Sequence, residues 1–448
     1  MGKGVNKLKK SIIFVVVLII LLILGYGGVQ HVNNSIPSVK ISQNKTTGNS
    51  SLVGSHTTGN SQAEDGASSD TNIPSAGSSN SVDNSENIDP IKAQIEKMSL
   101  EEKIGQMVIV GLDGYENDAH SKKFIEKYKI GGFILFKRNI KDTKQMISLL
   151  NSLKESNGQD NIPLFLSIDE EGGRVSRMPD EFLKIPTNKK IGKLNDDDLS
   201  YQVGSIIGEE LKSFGFNMNF APVLDINSNP KNPVIGDRSF GSEASIVAKL
   251  GIQTMKGMQT QNIISVVKHF PGHGDTAVDS HKGLPIVNHD LERLKSYELI
   301  PFSAAIENKV DVIMVAHILL PKIDADNPAS LSKKIISDVL RDDMGFDGVV
   351  VTDDFTMGAI VTKYDIGEAA VKSIQAGSDI VLVCHDFDKE EAVIMALQNA
   401  ARAGTISMES IDQSVYRILK LKEKYSLSNE KANSVNPQII NDKIKALF

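Results

Sequence analysis

Ile263-Ile264-Ser265-Val266-Val267 runs directly into Lys268-His269-Phe270-Pro271-Gly272-His273-Gly274, and the stretch closes on Asp279-Ser280-His281. The first five residues read as a buried strand, short, apolar and rich in β-branched side chains. The proline and two glycines that follow stop any helix and hold the chain in a tight path. Three histidines, a lysine and two aspartates are thereby crowded into one loop at the C-terminal end of a strand. In parallel barrels that end of the strand carries the chemistry.

Seven further apolar runs share this form: Gln106–Gly111, Gly131–Phe136, Leu164–Ile168, Phe216–Val223, Val310–Val315, Gly348–Val351 and Asp379–Val383. Amphipathic segments separate them, among them Thr143–Leu153, Ser245–Met258, Glu292–Asn308 and Lys389–Ala401. Eight strand–helix units predict a parallel α/β fold, either a closed (β/α)8 TIM barrel or an open doubly wound sheet. The polar residues favour closure. Asp169 follows the third run, Asp225 the fourth, His317 the sixth, Asp353-Asp354 the seventh and His385-Asp386 the eighth. A barrel brings those ends onto one face, whereas an open sheet strings them along an edge.

The folded part is expected over 89–427. Before it, Lys3, Lys7, Lys9 and Lys10 precede an apolar run from Ile12 to Leu24. With its flanks to residue 29 this run is just long enough to span a bilayer, and the lysines place everything after it outside the cytoplasm. No small-x-small cleavage site follows directly, so 1–29 is expected to be a retained single-pass anchor, with a cleaved signal peptide as the alternative. Residues 30–88 are rich in Ser, Asn, Gly and Thr, repeat Thr-Thr-Gly-Asn-Ser, and have no aromatic residue. They read as a disordered linker. Residues 428–448 read as a polar tail. A net charge of −7 argues against a nucleic-acid partner. The single cysteine, Cys384, excludes an internal disulfide framework and reads as a buried small side chain. Trp is absent, which suits a short or terminal sugar better than a long polysaccharide.

Several segments resemble glycoside hydrolase family 3, and within it the β-N-acetylglucosaminidases that act on cell-wall fragments. They are Asp169-Glu170-Glu171-Gly172-Gly173-Arg174-Val175-Ser176-Arg177, Phe220-Ala221-Pro222-Val223-Leu224-Asp225 and Ile235-Gly236-Asp237-Arg238-Ser239-Phe240. Leu340-Arg341, Gly348 and Thr352-Asp353 are similar to the family's nucleophile signature. The Lys268 loop with its Asp-Ser-His ending resembles the acetylglucosaminidase subgroup. The resemblance implies a terminal N-acetylglucosamine-containing cell-wall sugar as partner and no cofactor. Broad β-glucosidases of the family draw their acid/base from a second α/β domain. The stretch after His385 is too short for one, so the acid is expected within the barrel.

Glycoside hydrolysis needs an acid for the leaving oxygen and a carboxylate to meet the developing positive charge. Asp353, at the end of an apolar strand, is the expected nucleophile, with Asp354 in a supporting role. His281 is the expected acid/base, oriented by Asp279, because residues two apart in extended backbone point the same way. An imidazole can donate and accept a proton near neutrality. Asp169, Arg177, Arg238, Lys268 and His269 are the expected sugar binders, and His273 is expected to support the loop. Four rival readings remain: a β-glucosidase-like relative, a phosphorolytic relative, a catalytically dead wall-binding surface protein, and a metal-dependent barrel hydrolase using His269, His273, Asp275, Asp279 and His281 as ligands.

Overall fold

The computed structural model describes residues 89–448. The anchor expected over 1–29 and the linker over 30–88 lie outside the described residues. Among the described residues no helix is long and apolar enough to cross a membrane.

Eight parallel strands close into a barrel: β1 (Val108–Val110), β2 (Gly132–Leu135), β3 (Phe165–Ile168), β4 (Met218–Asn219), β5 (Ile264–Phe270), β6 (Val312–Val315), β9 (Val349–Asp354) and β10 (Ile380–Val383). The order around the wall is β1-β10-β9-β6-β5-β4-β3-β2, so the first and last strands pair and no edge is left open. The short antiparallel pair β7 (Leu319–Leu320) and β8 (Asp324–Pro328) stands outside the barrel, in the connection after β6. All eight expected strands are present, and the open-sheet alternative is excluded by the closure.

Helices form where capping and apolar spacing coincide. Asp142, Asp196 and Asp386 each accept from a backbone N–H of the helix they precede, and Ser99 and Glu102 complete a reciprocal capping box. One expected helix is interrupted. Glu292–Asn308 divides into Leu291–Arg293, a π turn over Leu294–Glu298, and Ile300–Glu307. Pro301 has no N–H to return to Tyr297, so the regular ladder breaks ahead of it.

The 428–448 tail is a second difference. It is not simply polar: Pro437–Leu447 is a helix whose Ile440 and Ile444 are buried, and Asn441 bonds the backbone of Leu183 and Glu181. Two isoleucines four apart give a narrow apolar stripe that the surrounding Asn and Lys residues hide in a composition reading.

Two strands carry one residue too many for their partner. On β5, three steps from Val267 to Phe270 face two steps from Ile313 to Val315. On β9, three steps from Val351 to Asp354 face two from Ile380 to Leu382. Such bulges re-aim side chains at the ends of strands. The first falls on Lys268 and His269, and the second on Thr352 and Asp353. Lys268 and His269 thus belong to the strand, not to the loop the sequence suggests, and both line the same cavity despite being adjacent.

The opposite end of the barrel is structural. Arg341 reaches Asp379 at 2.7 Å and the carbonyls of Gly348 and Gly377, tying the start of β9 to that of β10. The Leu340-Arg341 part of the nucleophile signature therefore positions a strand and stands far from the chemistry.

Candidate active site

The C-terminal ends of the strands surround a cavity of about 380 Å³. It is lined by all eight sequence-predicted site residues: Asp353, His281, Asp279, Asp169, Arg177, Arg238, Lys268 and His269.

The β3–β5 side is a cross-bonded ionic floor. Lys268 Nζ donates to Asp169 Oδ1 at 2.5 Å and to Glu171 Oε1 at 2.7 Å. Arg238 grips Glu171 with two bonds, Nε to Oε2 at 2.8 Å and Nη2 to Oε1 at 2.7 Å. Two carboxylates and two cations balance, which makes their burial tolerable. The Glu171 side chain is 1% exposed and that of Lys268 3%. Burial alone would push the Glu171 carboxyl up, but Arg238 and Lys268 hold it well below the usual range. The same contact raises the Arg238 guanidinium further against its own burial.

Sequence reading missed Glu171. It stands two residues from Asp169, but the segment lies beyond the end of β3, so strand alternation does not extend to it and the turn at Gly172-Gly173 decides its direction. Glu170 between them points away, accepts the Arg177 N–H at 2.7 Å, and is pushed up to about 7 by burial. Gly172 and Gly173, both at positive φ, turn the chain so that Arg174 and Arg177 return to the cavity rim. The Nε of Arg177 is buried without a hydrogen-bond partner among the described residues. An unmet buried donor at a cavity wall can take its partner from the cavity, whether water or ligand.

Asp225 organises the histidines. Its Oδ2 accepts from His269 Nδ1 at 2.6 Å, so the proton sits on that nitrogen and Nε2 faces Arg238 at 3.4 Å. Its Oδ1 accepts the His273 N–H at 2.6 Å. His273 is buried, with Nδ1 at 2.7 Å from Thr276 Oγ1 and Nε2 at 3.3 Å from Ser280 Oγ. Burial and the neighbouring His269 bring its pKa down to about 4. It supports the loop, as its sequence context suggests.

Asp353 is half-buried, and its Oδ1 accepts the Asp354 N–H at 2.9 Å. Burial pushes its carboxyl up, yet the His317 and His269 rings and that N–H outweigh the effect and leave it below the usual range. It is an ionised carboxylate facing the cavity. Asp354 is occupied otherwise: it accepts from Thr356 N, Thr356 Oγ1 and Cys384 N. His317 gives its Nε2 proton to the Asp354 carbonyl at 3.0 Å and meets Ser330 with Nδ1, fixing the strand end from below.

His281 sits at the mouth. Its Nδ1 is 2.9 Å from Asp279 Oδ1, which also accepts its backbone N–H. Burial acts to raise Asp279, but these two bonds lower it on balance, so it stays ionised and keeps the Nδ1 proton in place. Nε2 is left free to exchange a proton with a bound molecule. The five residues weighed as metal ligands are dispersed instead: Asp275 pairs with His289 at 2.8 Å, and the rest are engaged as described. Among the described residues no group of three or more His, Cys, Asp or Glu is arranged to hold a metal ion. Phe136 and His385, which sequence reading gave no role, complete the opposite wall with ring centroids 5.1 Å apart.

Beta-hexosaminidase A of Pseudoalteromonas piscicida is 38% identical over 331 residues, 68% of this chain. The chain spans only 55% of that relative's length. The Beta-hexosaminidase of Nitrosomonas eutropha is 34% identical over 303 residues, 66% of this chain and 86% of its own. A glycoside hydrolase family 3 beta-N-acetylglucosaminidase from Paenibacillus sp. superposes with a TM-score of 0.75 at 41% identity, covering 78% of this chain and 68% of that one. The profile of the glycosyl hydrolase family 3 N-terminal domain matches residues 99–421. That span runs from the capping residue Ser99 past β10 and takes in every residue of the cavity, so the chain belongs to glycoside hydrolase family 3.

Proposed function

We propose that the protein is an exo-acting β-N-acetylhexosaminidase. It removes terminal non-reducing N-acetylglucosamine from peptidoglycan-derived fragments by a retaining, two-step route. The relatives named beta-hexosaminidase and the beta-N-acetylglucosaminidase neighbour support the sugar. The single observation that carries the chemistry is one cavity holding an ionised carboxylate at the end of β9, bonded to the Asp354 N–H through one oxygen, and an Asp-oriented histidine at its mouth.

In the first step Asp353 attacks the anomeric carbon as the glycosidic C–O bond breaks, and His281 gives its Nε2 proton to the departing oxygen. In the second, neutral His281 takes a proton from water, the water oxygen bonds the anomeric carbon, and Asp353 leaves as carboxylate. Ionised Asp279 stabilises the imidazolium of the resting acid. Asp169, Lys268, Arg238 and Arg177 meet the sugar hydroxyls. Each loses a partner when a hydroxyl is missing, which is the basis of discrimination. The lysine-flanked apolar run at 12–24 supports an anchored, outward-facing enzyme working on cell-wall material.

The test compares aryl N-acetylglucosaminides with aryl glucosides, with and without phosphate. Preferential release from the N-acetyl sugar, as free sugar, supports the proposal. A preference for glucose, or a sugar phosphate as product, selects one of the rival readings. Labelling with a 2-fluoro sugar followed by peptide mass analysis should mark Asp353, and a label elsewhere removes it as nucleophile.

A further inference from the structure

His281 has an exposed side chain and one side-chain partner, Asp279, two residues away. An imidazole so free takes its place from the backbone that carries it. That backbone is fixed at Ser280, which is 2% exposed. The Ser280 hydroxyl meets buried His273, itself held by Asp225, Thr276 and Asn232. The Ser280 carbonyl accepts the Ala359 N–H at 3.0 Å. Ala359 belongs to the short helix Gly358–Val361 that follows β9, and Met357 just before it is bonded to the Asp354 carbonyl at 3.1 Å. Gly358 makes the approach possible. A Cβ there would lie 2.6 Å from the His281 carbonyl oxygen and 3.1 Å from the Lys282 carbonyl carbon. Both are backbone atoms that cannot swing aside.

We propose that Gly358 and Ser280 form a clamp that sets the height of His281 over Asp353, making Gly358 a positioning residue for proton transfer. A continuous set of contacts then joins the two reacting groups, from Asp353 through Asp354, the helix start and Ser280 to His281. The inference rests on the acid/base reading of His281 given above. A side chain at 358 must push the loop outward, leaving the sugar floor and Asp353 intact while the proton donor moves away from the leaving oxygen.

The experiment measures kcat/KM on aryl N-acetylglucosaminides with good and poor leaving groups for Gly358→Ala, Ser280→Ala, Gly283→Ala and His281→Ala. Misplacing a catalytic group by about 1 Å can cost about 100-fold, and acid catalysis supplies about 10²–10⁴-fold. Gly358→Ala should therefore lose at least about tenfold on the poor leaving group and little on the activated one, with its acid-limited pH limb altered. Ser280→Ala, which keeps the backbone and removes only the His273 tie, should lose less with the same selectivity, and serves if Gly358→Ala does not fold. Gly283 lies in the same loop, and a Cβ added there would have nothing within 4 Å, so Gly283→Ala should match the parent. If His281→Ala is leaving-group selective while Gly358→Ala and Ser280→Ala are not, the clamp is wrong and the acid assignment stands. If His281→Ala itself loses equally on all substrates, both ideas fall.

Discussion

Lys268, on β5, and His281, in the loop that follows it, line the same cavity, yet Lys268 is 3% exposed and reaches two carboxylates while His281 is 67% exposed and reaches one. The charges around Lys268 are paired within the chain, between the segment after β3, the end of β5 and the Gly236–Arg238 turn that follows β4. Such preorganisation costs no rearrangement during reaction, which is where electrostatic catalysis gains most. On the proposed mechanism the mouth around His281 must instead admit a leaving group and water, and keep its proton in exchange with solvent. On that reading, fixed charge belongs to the buried ionic network and proton transfer to the exposed loop.

The comparison breaks most sharply at Asp353. Asp353→Asn removes the charge and keeps the shape, and kcat should fall on the order of 10⁴–10⁶-fold, the scale seen for loss of a nucleophile. Its melting temperature should stay close to that of the parent, and near-parental turnover would end the assignment. His281→Ala should fall by about 10²–10⁴-fold on poor leaving groups and far less on activated ones. Asp279→Ala should follow it more weakly, because the ring is misoriented but present.

Glu171→Gln tests the floor as a structural unit. It leaves Arg238 without its paired carboxylate and Lys268 with Asp169 alone, and breaking a buried pair costs about 3–5 kcal/mol. Denaturant unfolding should register that loss, and sugar affinity should fall with it. A floor variant that lost activity with no change in stability would show that the ionic network does not hold the barrel mouth together.

Two buried groups make opposite pH predictions for stability. His273 titrates at about 4 in the folded chain against 6.5 for an unperturbed imidazole. Between those values the unfolded chain binds the extra proton, so stability falls as pH drops through the window, by on the order of 3 kcal/mol. Glu390 is buried beside Gly111 and pushed up to about 8 from 4.5. Here the folded chain holds the proton, so its contribution is present below 4.5 and is lost as pH rises towards 8. Glu390→Gln should flatten the alkaline side of a melting-temperature profile, and an unchanged slope would refute the buried-acid description. The smallest effect is expected from removing 1–88: kcat/KM of the remaining chain should match the parent, while the full chain should fractionate with membranes.

Much of the site was legible before the fold. Asp353, Asp169 and Lys268 follow short apolar runs, and parallel strands of one barrel deliver such positions to one end. His281 and Asp279 were paired by strand-like alternation, whereas the contact is made in a turn, where Asp279 Oδ1 meets both the backbone N–H and the ring of His281. Glu171 escaped because Asp169-Glu170-Glu171 offers two glutamates, and only the turn at Gly172-Gly173 settles which faces inward. Asp225 and His317 stood out as polar strand ends, but their work as holders of His269, His273 and the β9 end depends on partners far away in sequence.

The sequence by itself determined a parallel α/β fold, through the count and spacing of its apolar runs, and the polar residues at the ends of those runs favoured closure into a barrel. The helix within the 428–448 tail was missed because a two-isoleucine stripe is too weak a local signal. Tertiary structure decided what local pattern cannot carry: the bulges that turn Lys268, His269 and Asp353 into one cavity, the pairing of Glu171 with Arg238, and the seat of Ser280 against the helix after β9. Each depends on a register or close approach between segments remote along the chain, and only the closed barrel brings those segments together.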